Sequence, residues 1–213
     1  MKTDELIAAL AAGVEPVDRR APERRLLLAA GGGLLLGALL MLALLGLNPA
    51  LAHDAGLPMF WVKLGFVAGA TVAGFFATTR LARPGAALAP AAVLVGAPFA
   101  SMWLLALLAL GATAPEQRVP AIMGSTWQAC PINIAMLSIP TLAVALWAMR
   151  GLAPTRLRLA GAGAGLLAGA LGALAYALHC PEMAAPFIGI WYALGMLVPV
   201  VAGAALGPRL LRW

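Results

Sequence analysis

Long, uninterrupted apolar runs recur six times along this 213-residue chain, and they decide its solvent. Each is close to the ~20 residues that carry a helix across ~30 Å of hydrocarbon. Membrane-spanning strands would be about ten residues long and would alternate apolar with polar side chains; these runs do neither. Only 10% of the residues are charged and 63% are hydrophobic, whereas a soluble domain carries about 25% charged residues. The expected fold is all-α: a polytopic membrane protein of six transmembrane helices with a short N-terminal helix. The spans are expected at Leu26–Leu47, Pro58–Thr79, Leu88–Ala112, Ala129–Met149, Leu159–Leu178 and Pro186–Leu206. Residues 1–25 then form an N-terminal tail, 26–207 the six-helix domain and 208–213 a short C-terminal tail. Ala50-Leu51-Ala52 before His53 resembles a signal-peptidase site. The run before it is longer than the 7–15 apolar residues of a secretory core, so the first span reads as uncleaved.

The net charge of +6 follows from topology rather than from nucleic acid, and no direct nucleic-acid contact is expected. Six spans put both ends on one side. That side collects Lys2, Arg19, Arg20, Arg24 and Arg25 from the tail. It also takes Arg80 and Arg83 from the second-to-third loop, and Arg150, Arg156 and Arg158 from the fourth-to-fifth. Arg209 and Arg212 complete it at the C-terminus. Only Lys63 and Arg118 fall toward the other side. Basic loops stay in the cytoplasm, so both termini are expected to be cytoplasmic. Lys63, near the outer end of its span, is expected to snorkel to the interface.

The tail is polar but holds one apolar stripe. Thr3 can cap a helix whose first turn carries Asp4 and Glu5. Leu6, Ile7, Leu10 and Val14 follow at helical spacing. A helix this short is marginal alone in water, so the stripe is a candidate surface for a protein partner. Residues 15–25 read as a solvated linker. Within the spans, Gly161, Gly165 and Gly169 repeat every four residues. Gly33/Gly37, Gly65/Gly69 and Gly203/Gly207 do the same, a spacing that lets helices pack closely. No internal repeat supports the inverted halves of a transporter.

The outer loops collect the remaining functional groups. Both histidines, His53 and His179, fall there, with Asp54, Glu116 and Glu182. So do the two cysteines, Cys130 at the start of the fourth span and Cys180 at the end of the fifth. His53 and Asp54 read as solvated loop residues. Cys130 lies 20 residues before Arg150 and Cys180 lies 22 after Arg158, on consecutive antiparallel helices, so both thiols reach about the same depth. A disulfide needs Cα atoms about 4.4–6.8 Å apart, closer than the 8–10 Å between packed helix axes; bridging therefore depends on rotation of the two ends. Cys130 in a first helical turn would gain thiolate character from the dipole, which makes it the expected reactive thiol. A capping box of Ser125 and Gln128 would start that helix earlier and weaken the effect. Three roles stay open: a structural disulfide, inert buried thiols, or a redox or metal switch. Cys130, Cys180, His179 and Glu182 offer a ligand set for a soft or borderline metal, so a transient heavy-metal ion can be accommodated without any resident cofactor.

Catalytic signatures are lacking. The sequence holds no CxxC, HExxH, GxSxG or P-loop, and no acid falls at the middle of a span. An enzyme is not expected.

A family resemblance sharpens the reading. The opening Met1-Lys2-Thr3-Asp4-Glu5-Leu6-Ile7 carries it, with the stretch from Trp127 to Cys130-Pro131 and His179-Cys180-Pro181-Glu182 on a six-span frame. Together they resemble the NrsF family of bacterial inner-membrane anti-sigma factors, negative regulators of an extracytoplasmic-function sigma factor. The resemblance covers the whole chain. It implies that the tail sequesters a sigma factor and that Cys130 and Cys180 take part in sensing oxidative or heavy-metal stress. The alternative class is a small membrane transporter or a thiol-based redox enzyme of the membrane.

Overall fold

The computed structural model describes residues 3–12, 20–87, 89–152 and 154–212. Among them every regular element is helical. The N-terminal helix α1 (Thr3–Ala11) carries Asp4 and Glu5 in its first turn, as expected. The first span, α2 (Ala21–Leu44), starts five residues before its apolar run. Pro22 falls in its first turn, where a missing N–H costs nothing, and Glu23 suits the positive end of the dipole. The expected linker at 15–25 is therefore helical from Ala21; residues 13–19 lie outside the described residues. Gly46 closes α2 in the left-handed region, φ 74°, returning its N–H to Met41 at 3.0 Å. Glycine carries that conformation without a Cβ penalty.

A short helix α3 (Leu51–Asp54) leads into α4 (Pro58–Leu81). Then come α5 (Ala89–Ala112), the surface helix α6 (Pro115–Met123), α7 (Ala129–Arg150) and α8 (Leu157–Tyr176). The last span is composite. It begins as α9 (Ala185–Phe187), widens to one π-helical stretch at Ile188–Tyr192, and continues as α10 (Ala193–Leu210). Six of these helices are long and apolar enough to cross a membrane.

The bundle is organised around α8, which packs against α10, α7, α4 and α2. Its glycines make this possible. A Cβ at Gly161 would strike the Gly203 carbonyl, one at Gly165 the Pro199 carbonyl, and one at Gly207 the Leu157 carbonyl. Backbones thus meet with no side chain between them. Gly33 seats α2 on Thr141 in the same way, and Gly74 seats α4 on Leu167. Gly65 differs: a Cβ there meets nothing within 4 Å, and one at Gly69 reaches only ordinary contact with Pro98 of α5 at 3.5 Å, so the Gly65/Gly69 spacing marks no backbone-to-backbone seam within this chain.

The buried interior falls into two clusters at opposite ends. At the end where α2 begins and α10 finishes, Leu26, Leu146, Met149, Ala160 and Leu211 pack together. At the other end Cys130, Cys180, Tyr176, Phe187 and Tyr192 join Phe66, Ile134 and Met196.

Candidate paired-thiol site

The two cysteines arrive from opposite helix ends. Cys130 is the second residue of α7, its N–H bonded to the Thr126 carbonyl at 2.9 Å. Cys180 lies in the loop beyond α8, its N–H reaching the Tyr176 carbonyl at 3.0 Å. Gly172 explains why they meet. A Cβ there would sit 2.8 Å from the Ile134 carbonyl and 2.9 Å from the Ser138 nitrogen, so α7 and α8 touch backbone to backbone two turns below the thiols. Both cysteines are buried and both are free thiols.

The Cys130 and Cys180 thiols lie beside one another within interaction distance. Cys180 accepts the backbone N–H of Glu182. The Tyr192 hydroxyl is turned toward the same sulfur; it is buried and has no partner at ordinary hydrogen-bond geometry. Tyr176 packs on Tyr192 with ring centroids 5.9 Å apart, and on His179 at 5.6 Å. The only two tyrosines of the chain thus stand beside its only two cysteines.

Beneath this group lies Lys63, with no exposed surface. Its Nζ donates to the Cys180 carbonyl at 2.9 Å and to the Glu182 carbonyl at 3.4 Å, and it stands 5.6 Å from the Phe60 ring centre. Lys63 therefore does not snorkel. The reason is tertiary: the carbonyls past the end of α8 offer the ammonium better partners than a crowded interface would. The neighbouring Cys130 thiol holds the Cys180 thiol below the ordinary cysteine range. The Glu182 N–H, Tyr192 and Lys63 act in the same direction, and burial opposes them. The donors that converge on Cys180 come from several elements, which position along one helix does not reveal.

The four residues expected as metal ligands separate. His179 donates from Nδ1 to the Gly46 carbonyl at 3.0 Å, because a carbonyl can only accept. Glu182 Oε1 accepts the Ser125 N–H and hydroxyl, both at 2.7 Å, and the Thr126 hydroxyl at 3.4 Å. Among the described residues no group of three or more His, Cys, Asp or Glu converges on a metal position. Only the sulfurs of Cys130 and Cys180 remain together. Ser125 forms no capping box with Gln128, since its hydroxyl is engaged by Glu182 and α7 starts without a side-chain cap. Asp54 is buried rather than solvated, holding Asn48 Nδ2 at 2.7 Å. On α1, Leu6 and Ile7 are exposed, 42% and 59% of their surface. The Leu10 side chain and Val14 lie outside the described residues.

Sequence reasoning missed the tyrosines, Asn48 and the inward turn of Lys63. The tyrosines had a signal, since Tyr176 stands one helical turn before Cys180 and the chain has only one other.

The fold and this pocket define a class: a six-span α-helical membrane protein with a facing pair of free thiols at one end. Residues 10–213 match the family described as NrsF, negative regulator of sigma F. The "Probable anti-sigma-F factor NrsF" of Azospira oryzae is 49% identical over the full length of both chains. The "Anti-sigma-F factor NrsF" of Caulobacter vibrioides is 40% identical, again over the full length of both. The chain belongs to the NrsF family. No solved structure matches it.

Proposed function

We propose that this chain is an inner-membrane anti-sigma factor of the extracytoplasmic-function type. It holds its sigma factor at the cytoplasmic face through the apolar stripe of α1. It lets go when the Cys130–Cys180 pair, facing the periplasm, is oxidised or captured by a soft metal ion. The observation that carries the switch is the direct contact of the two thiols in one pocket. The names of the relatives support the partner, the arginine distribution supports the orientation, and the exposed Leu6 and Ile7 suit an amphipathic helix that docks in a groove.

The chemistry balances with a hydroperoxide as oxidant. The Cys180 thiolate attacks a peroxide oxygen, the O–O bond breaks, and the departing oxyanion takes a proton from water. Cys130 then attacks the sulfenic sulfur of Cys180; the S–O bond breaks and water leaves with the Cys130 proton. Two electrons pass from the thiols to the peroxide. For a soft divalent ion, Cys130 and Cys180 would be the ligands, both as thiolates, with any remaining thiol proton released to water. The helix α4 offers a route inward. It carries Lys63 beneath the thiols, and just past its other end Arg83 binds Glu23 at the root of the tail, 2.6 Å apart. That ion pair is half exposed, so it guides the tail more than it stabilises the fold.

A sigma-dependent reporter tests this, read beside immunoblots of the membrane fraction. Output from Cys130→Ser and Cys180→Ser should not change when peroxide or a soft metal ion is added. Leu6→Glu should raise output without inducer, at an unchanged protein level. A wild-type response in both cysteine variants would refute the sensor, and continued repression in Leu6→Glu would refute the tail contact.

A further inference from the structure

We propose that the cleft between α5, α8 and the last span holds one acyl chain of an anionic phospholipid, whose phosphate rests on Arg80 and Arg156. The site is separate from the thiols and does not depend on the sensing reading. α5 packs on α4 and on the start of the last span. Among the described residues it makes little contact with α8 or α10, and the gap it leaves is a cleft of about 690 Å³. That is within the ~300–1,000 Å³ usual for ligand sites. Every lining residue is apolar or glycine, among them Ala91, Phe99, Leu166, Ala193 and Leu197. The cleft follows α5 from Ala91 to Trp103, ~18 Å of helix by its rise per residue. One leaflet of hydrocarbon is ~15 Å deep, so the cleft is about as long as one acyl chain. Trp103 bounds its far end, the indole N–H donating to the Gly189 carbonyl at 2.8 Å.

The near end supplies the charge. Leu81 lines both the cleft and a small pocket beside it, whose other walls include Arg80, Arg83 and Arg156. Arg80 is held in place: its guanidinium stands 4.9 Å from the Phe76 ring centre and donates to the Ala87 carbonyl at 3.3 Å. Arg83 binds Glu23, so the phosphate is assigned to the other two. Beyond the tail the chain has three acids, Asp54, Glu116 and Glu182, and all three fall at the opposite end. An apolar trough one chain long that opens onto arginines matches a lipid with a negative headgroup. A helix from a second copy of the chain fits less well. All copies lie the same way up in a membrane, so the second would bring its own arginines to the same mouth, where like charges repel.

The test is native mass spectrometry of the full-length chain in detergent, titrated with phosphatidylglycerol or with phosphatidylethanolamine of identical acyl chains. One phosphatidylglycerol should be retained at about tenfold lower concentration than phosphatidylethanolamine. Arg80→Gln combined with Arg156→Gln should erase that preference and leave the weaker apolar binding. Arg209→Gln combined with Arg212→Gln removes as much charge from the same end, but on a surface apart from the cleft, and should keep the preference. Ala92→Trp, at an exposed position of the cleft, should weaken both lipids several-fold without touching an arginine. Equal retention of the two lipids by the wild type overturns the proposal. So does a preference that falls equally in both arginine pairs, the mark of lipid gathered by net charge alone. Wild-type lipid binding in Ala92→Trp overturns it as well, even if the Arg80 and Arg156 pair fails to accumulate. Displacement of phosphatidylglycerol by inorganic phosphate at constant ionic strength would make the pocket a site for a free anion. A dimer that sheds its lipid would put a second copy in the cleft. Either result also overturns the assignment to a lipid.

Discussion

The seam between α8 and α10 and the pocket around Cys130 and Cys180 are both buried, yet opposite physics holds them. In the seam Gly161 and Gly165 bring backbone against backbone at Gly203 and Pro199. Nothing there can titrate or react, and the contact is made of dispersion alone. In the pocket two thiols, a hydroxyl without a conventional partner and an ammonium depend on one another for charge and hydrogen bonds. Such a network changes its balance when one proton or one electron pair moves. The seam can only hold or break. It therefore supplies the fixed frame against which the pocket can switch.

The largest effect should come from breaking the frame. Gly165→Leu drives a side chain into the Pro199 carbonyl, where backbone cannot yield. Overpacking of this kind costs about 1–3 kcal/mol even in cores that relax, and occasionally more. The variant should be nearly absent from membranes, and what remains should unfold in detergent at a clearly lower temperature. Normal accumulation with an unchanged unfolding temperature would show that the seam is not the frame.

The seam was legible in the sequence and much of the pocket was not, for a physical reason. Glycines four residues apart state their purpose locally, because a helix face is fixed by spacing. The six spans were legible likewise, their ends displaced by only a few residues, because hydrocarbon thickness sets their length. The matched depth of the thiols followed from counting residues along antiparallel helices, whereas their contact depends on the rotation of the helix ends. The surroundings of Cys180 did not follow. The dipole at Cys130 is local, whereas the groups acting on Cys180 include Lys63, 117 residues away, and Tyr192 beyond the next turn. A lone lysine near a span end can turn out or in at similar local cost, so only the fold decides. Nor do short elements such as α6 and the π-helical stretch announce themselves by hydropathy.

A middling effect should come from loosening the cover over the pocket. Glu182 gathers the Ser125 N–H and hydroxyl and the Thr126 hydroxyl from the turn before α7. That turn runs through Gly124, whose φ of 55° leaves space filled by the Glu182 carboxylate and the Phe187 ring. Glu182→Gln weakens charge-assisted hydrogen bonds that are partly exposed, worth about 1 kcal/mol. The protein should accumulate normally, and iodoacetamide should reach Cys180 a few-fold faster at constant pH. An unchanged rate would mean that access to the thiols runs by another path.

The smallest effect should separate glycine spacing from glycine packing. Gly65 and Gly69 repeat at the same interval as Gly161 and Gly165, yet a Cβ at Gly65 meets nothing within 4 Å. Gly65 stands two residues from Lys63, which places it ~200° around the helix, away from the pocket. Gly65→Leu therefore adds a side chain toward lipid and exchanges a poor helix former for a good one, a change worth up to ~1 kcal/mol in soluble helices. Accumulation should be equal or slightly higher, and the alkylation rate of Cys180 should stay within about twofold of the wild type at constant pH. If Gly65→Leu instead fails as Gly165→Leu does, the open face of α4 is covered in the membrane by a second chain. The frame would then extend beyond one molecule, and the contrast between seam and pocket would have to be drawn on the assembly.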